Sequence, residues 1–136
     1  MASQQDVALA VKRLQWRHHR EANRKLSAQV GISLVQWDVL RRIEQSPGLS
    51  LHALAEATFQ TDQSMGELAK RMIDRELIKR VDGAGRAVRH ELTSRGRTAY
   101  QAGAGILDEV LAETLGRLGV EERSTLLGLI DKALGD

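Results

Sequence analysis

The sequence predicts a mainly α-helical chain with one small β-hairpin, and three observations predict it. Two short amphipathic patterns, Leu51 to Thr58 and Asp62 to Arg75, are separated by only three residues, a junction close enough to hold two helices crossed. Two β-like runs follow, Ile78 to Val81 and Val88 to Leu92, with the turn residues Asp82, Gly83, Ala84 and Gly85 between them. One Pro in 136 residues, with many Ala, Leu, Arg and Glu, favours helix elsewhere. Together these outline a winged helix-turn-helix over residues 33–93, with outer helices before and after it.

Taken in order, Val7 to about Val30 reads as a long first helix. Val7, Val11, Leu14, His18, Ala22 and Leu26 lie along one side, and Gly31 stops it. Arg13, Arg17, Arg20 and Arg24 line much of the remainder. Ser33 and Gln36 form a capping-box pattern for a second helix, whose apolar side is Trp37, Leu40 and Ile43 and which Ser46-Pro47-Gly48 ends. Ser50 caps the third helix, with Leu51, Leu54 and Ala55 facing the fourth.

The fourth helix, capped by Thr61 or Asp62, buries a stripe of Met65, Leu68, Ala69, Met72 and Ile73. Its opposite side carries Gln63, Gly66, Glu67, Lys70 and Arg71, the kind of polar face that base edges and phosphates need. Thr93 caps a fifth helix running to roughly Arg117, in which Gly103 and Gly105 imply close packing or a bend. Val120 to Leu134 makes a last helix, with Leu126, Leu127, Ile130 and Leu134 on its apolar side.

The net charge of +2 hides an uneven distribution. From Lys70 to Arg97 nine Lys/Arg stand against four acids, whereas after Gln101 seven acids stand against three bases. A basic module on an acidic helical tail orients the basic part toward a polyanion, although charge runs also simply cover solvated faces. The absence of cysteine excludes disulfides, thiolate metal sites and thiol redox sensing. No apolar run approaches a membrane span, and the N-terminus lacks the basic start and apolar core of a signal peptide, so a cytoplasmic protein without membrane association is expected.

The run LAEATFQTDQSMGELAKRMIDRELIKR, followed by a turn and ELTSRGR, with VQWDVLRRI upstream, resembles the MarR family of winged helix-turn-helix transcriptional regulators. That resemblance implies a homodimer built by residues 1–31 and 94–136, a DNA-binding part at 33–93, and repression at a palindromic double-stranded operator relieved by a small aromatic or anionic effector. It implies DNA contacts by Gln63, Ser64, Glu67, Lys70 and Arg71 of the fourth helix, and by Arg86 and Arg89 of the hairpin. It also implies an effector pocket where the outer helices meet the reading module, with Trp16 and Trp37 flanking it and His19, Arg20 or Arg41 supplying polar contacts. The plainer alternative is that both tryptophans pack that junction.

The chain departs from the family in three places. Asp62 and Glu67 stand where basic or small polar residues are common. They either accept from cytosine N4 groups or serve as capping and helix-surface residues. Glu76 replaces the usual Gly after the fourth helix, so either a left-handed residue costs about 1 kcal/mol or the helix ends differently. The wing is about one residue short and reads Gly85-Arg86-Ala87 where an Asp-Arg-Arg run is common.

For catalysis one would expect a nucleophile beside a base, paired carboxylates or a phosphate-cradling loop. No such motif is present, and neither an enzyme nor a cofactor is expected. His18 and His19 point about 100° apart on a helix, which disfavours a shared metal, and no metal site is expected. Two other readings stay open: a winged-helix protein-interaction module without DNA binding, for which Asp62 and Glu67 argue, and a metal-sensing regulator.

Overall fold

The computed structural model describes residues 1–82 and 88–136. The chain runs α1 (Gln4–Gln29), α2 (Leu34–Gln45), α3 (Leu51–Ala57), α4 (Asp62–Asp74), β1 (Ile78–Asp82), β2 (Val88–Leu92), α5 (Ser94–Ala112), a 3-10 turn (Leu115–Arg117) and α6 (Val120–Leu134). β1 and β2 pair antiparallel, with Ile78 opposite Leu92, Arg80 opposite His90 and Asp82 opposite Val88. The wing turn between them lies outside the described residues.

Side-chain caps start most of the helices. The Ser33–Gln36 box opens α2, and Ser50, Thr61 and Thr93 accept the N–H groups of Ala53, Ser64 and Gly96 at the heads of α3, α4 and α5. α1 begins at Gln4 rather than Val7, because Ser3 and Asp6 form a capping box of their own. α5 stops at Ala112 rather than running to Arg117. Thr114 leaves helical geometry there, with its hydroxyl 2.6 Å from His18 Nε2.

The core gathers side chains from all five helices α1 to α5 and from the hairpin strands, with Leu26, Leu40, Leu54, Met65 and Met72 among its fully buried members. In α4, Met65, Leu68, Ala69 and Met72 are buried as expected, but Ile73 is 36% exposed. Ile73 turns away from the core and lines a cleft against the hairpin.

Among the described residues, two non-glycine residues take left-handed backbone, Phe59 (φ 58°) before α4 and Glu76 (φ 59°) after it. Glu76 therefore adopts the strained alternative, at a cost of about 1 kcal/mol. Its carbonyl accepts from the Thr93 hydroxyl, which fastens the end of α4 to the head of α5.

Gly103 is packed against the side chains of Trp37 and Leu26: a Cβ there would lie 2.3 Å from Trp37 Cδ1. Gly96 approaches backbone instead, its missing Cβ falling 1.9 Å from the Leu77 carbonyl oxygen. Only a residue without a Cβ allows these approaches.

The outer helices are different. On α1 only Ala22 and Leu26 are buried, while Val7, Val11 and Leu14 stay exposed, and no residue of α6 is buried. Val11, Leu14, Leu126, Leu127 and Ile130 line an apolar cleft of about 310 Å³ between the two helices. Val120, Leu129 and Leu134 of α6 are exposed as well. Among the described residues, no helix is long and apolar enough to cross a membrane.

Candidate nucleic-acid interface

α4 divides cleanly into two sides. Gln63, Ser64, Glu67, Lys70 and Arg71 are all exposed, and the core-facing side is closed. Thr61 takes the Ser64 N–H, so the first turn of α4 is anchored without using the Gln63 or Ser64 side chains. Arg89 on β2 is half-buried and packs beside Gly48, 3.6 Å from where a Cβ on that residue would sit. Arg86 lies outside the described residues.

The basic stretch splits by position. Lys79 meets Glu91 at 3.2 Å, Arg97 meets Glu44 at 3.6 Å and Arg95 meets Glu76 at 3.9 Å. Arg75 is structural: its guanidinium donates to the Gly31 carbonyl and to Gln36 Oε1, tying the end of α4 to the α1–α2 turn. Lys70 and Arg71 carry no ion pair among the described residues, so their charge is available to an incoming polyanion.

A cleft of about 420 Å³ separates α4 from the hairpin, lined by Leu51, Ile73 and Val88 together with Lys70, Arg80 and His90. His90 is buried, and its Nδ1 has no hydrogen-bond partner among the described residues. Burial, helped by the neighbouring Arg80 charge, lowers its pKa below the usual histidine value.

The residues expected at an effector pocket fall into two groups. Trp37 is buried, donates its indole N–H to the Tyr100 carbonyl at 3.1 Å and stacks on the Tyr100 ring, with Arg41 5.9 Å from its own ring centre. Trp37 thus packs the junction as the plainer expectation had it. Trp16 does not: it is 58% exposed and stacks on His19. It faces outward from α1, where it and Arg20 line an open cleft of about 340 Å³ with Arg17, Glu21 and Glu113.

Asp38 joins the two groups. Its burial pushes the carboxyl pKa up, against the pull of Arg41, Arg42 and His19. Arg41 and Arg42 follow Asp38 by three and four residues on α2, a spacing visible in the sequence, whereas His19 reaches it only because α1 packs on α2.

The other residue that sequence reading passed over is His52. Its Nδ1 lies 2.8 Å from Asp62 Oδ1 and its Nε2 3.0 Å from Glu56 Oε1. A signal was present, since His52 and Glu56 stand four apart on α3, but the histidines invite comparison with metal sites first. Asp62 is therefore paired at the head of α4.

A helix-turn-helix followed by a β-ribbon, with an open polar face on its second helix, defines the winged-helix class of regulators. Similarity to known proteins agrees with the class. A model of the MarR family matches residues 30–87. The transcriptional regulator HosA of Escherichia coli O127:H6 is 36% identical over 101 residues, covering 73% of this chain and 75% of the relative. The HTH-type transcriptional repressor Rv2887 of Mycobacterium tuberculosis is 28% identical over 109 residues, covering 79% and 78%. Its structure with p-aminosalicylic acid superposes with a TM-score of 0.74 at 25% identity, over 95% of this chain and 98% of that one. In fold alone, MepR of Staphylococcus aureus, in a complex with DNA, matches with a TM-score of 0.82 at 22% identity over 95% and 96% of the two chains. The chain belongs to the MarR family, and it is a transcriptional regulator.

Proposed function

We propose that this regulator binds a palindromic double-stranded operator as a homodimer, represses there, and is released by a small aromatic acid. The open polar face of α4 carries the reading, because it leaves Gln63, Ser64, Glu67, Lys70 and Arg71 free while the opposite side holds the core. Residues 33–93 form the DNA-binding part. Residues 1–31 and 94–136 pair the subunits through the apolar faces of α1 and α6, and the protein works in the cytoplasm without catalysis. Two related heads on a two-fold axis read half-sites about one helical turn apart. Of Asp62 and Glu67, the two arguments for a module that does not bind DNA, Asp62 is bonded to His52, which weakens that alternative, while Glu67 stays exposed.

Gln63 and Ser64, in the first turn of α4, reach base edges; Lys70, Arg71, Arg89 and the sequence-assigned Arg86 hold phosphate or the minor groove. Duplexes selected from a random pool should converge on a palindrome. Pools that emerge unenriched would remove the reading. With that operator, Arg71→Ala should weaken binding to every sequence and reduce the salt slope by about one. Gln63→Ala should instead cost roughly 1–3 kcal/mol of discrimination at one position of each half-site. Identical salt slopes and identical base preferences in the two variants would overturn this division.

Support for the effector comes from Rv2887, whose structures hold salicylic and p-aminosalicylic acids. In this chain the residues offered for it are Trp16, His19, Arg20, Trp37 and Arg41. Salicylate titrated against the labelled operator complex should release the duplex, and Arg41→Ala should shift the release to higher concentration. A panel of small aromatic acids that leaves the complex intact would remove effector control.

A further inference from the structure

We infer that His52 is a positioning residue for DNA binding: as an imidazolium it holds the Asp62 and Glu56 carboxylates against itself, and loss of its proton exposes both to the DNA backbone. The inference rests on the DNA-binding reading above and adds to it a dependence on pH.

The geometry sets the protonation state. Nδ1 is 2.8 Å from Asp62 Oδ1 and Nε2 is 3.0 Å from Glu56 Oε1. A neutral imidazole has one N–H, and an ionised carboxylate only accepts, so the cation alone satisfies both contacts. The charged groups facing the ring are Glu56 from its own helix and Asp62 from α4, the element packed against it. Hydrogen bonding to Asp62 first, then the charges of Asp62 and Glu56, raise the His52 pKa above the usual histidine value.

The location gives this cluster its consequence. Asp62 is the first residue of α4, immediately before Gln63 and Ser64. An uncompensated carboxylate there repels phosphates, and Glu56, on the far side of the α3–α4 turn but bonded to the same imidazole, adds a second negative charge beside it. With the His52 cation between them, the cluster of three carries one negative charge instead of two. The bond also crosses from α3 to α4, so it fixes both carboxylates relative to the reading helix.

The sign follows from the raised pKa. The cation is fully present at low pH, so operator affinity is greatest there and falls as pH rises through the folded-state pKa of His52. One linked proton limits the slope of log affinity against pH to about one. DNA binding, in turn, must raise the proton affinity of His52 by the same coupling.

The test is operator affinity of the full-length chain between pH 6 and pH 8.5 at constant ionic strength, for three proteins. Wild type should lose roughly fivefold, the low end of ordinary inter-site coupling. His52→Gln should bind at every pH about as weakly as wild type does at the top of the range. Glu56→Gln combined with Asp62→Asn should bind tightly at every pH. The other three histidines are the same in all three proteins, so differences between the profiles isolate His52. All three side chains in the cluster are well exposed, and thermal melts check that each variant is folded. A wild-type profile retained by His52→Gln, or by the double carboxamide variant, overturns the inference and leaves DNA binding intact. A wild-type chain that holds no duplex even at pH 6 overturns the DNA-binding reading and this inference with it.

Discussion

Gly96→Ala should destabilise the protein by about 3 kcal/mol or more, at the upper end of overpacking costs, and lower its melting temperature by roughly 10 °C. The added methyl would fall 1.9 Å from the Leu77 carbonyl oxygen and 2.9 Å from its carbon, and backbone cannot swing aside as a side-chain tip does. That carbonyl also accepts from the Thr93 N–H and hydroxyl, each at 3.1 Å. Any shift therefore disturbs the cap of α5 and the end of α4 together. Gly105→Ala on the same helix is the matched control. Its Cβ would meet nothing within 4 Å, so ordinary helix propensity should make it neutral or stabilising by up to about 1 kcal/mol. Calorimetric melts of the two variants check the ordering, and equal melting temperatures would contradict the tight junction at Leu77.

The second large effect concerns the outer helices. Leu127→Glu combined with Ile130→Glu should give a monomer by sedimentation and cost operator affinity about 100-fold or more, because each head then binds without the effective concentration supplied by its partner. Both positions are exposed in the lone subunit, at 60% and 43%. The substitutions should consequently perturb the subunit's own fold little, within about 0.5 kcal/mol each. A variant that still sediments as a dimer would locate the subunit interface elsewhere, and a monomer with undiminished operator affinity would remove the need for two heads.

Much of the architecture was legible because local chemistry and tertiary packing agree. Ser33 with Gln36, Ser50, Thr61 and Thr93 are strong helix starters, and each starts the expected helix. The spacing of Met65, Leu68, Ala69 and Met72 identified the closed side of α4, and thereby its open one. What failed depended on distant partners. Ile73 fits the apolar period of α4, but the hairpin lies beside it and leaves a cleft. The helical pattern after Ala112 contains no breaker as strong as proline; Thr114 turns out of it toward His18, a residue 96 positions away. Trp16 and Trp37 looked equivalent as large aromatics, yet α1 points one outward while Gly103 makes room for the other against α5. The pairing of His52 with Asp62 depends on how α3 crosses α4, which residue spacing within either helix does not encode.

The separation of the two sides of α4 has a consequence for how such a regulator can change. Its frame is fixed by the interior side and by the left-handed residues Phe59 and Glu76 at its entrance and exit, none of which belongs to the outward row at Gln63, Ser64, Glu67, Lys70 and Arg71. On the proposed reading of that row as the DNA-contacting face, substitutions along it redirect the protein to a different target without refolding it. New binding preferences are thus reachable through single replacements that the scaffold tolerates, and rewiring of control circuits need not pass through unstable intermediates.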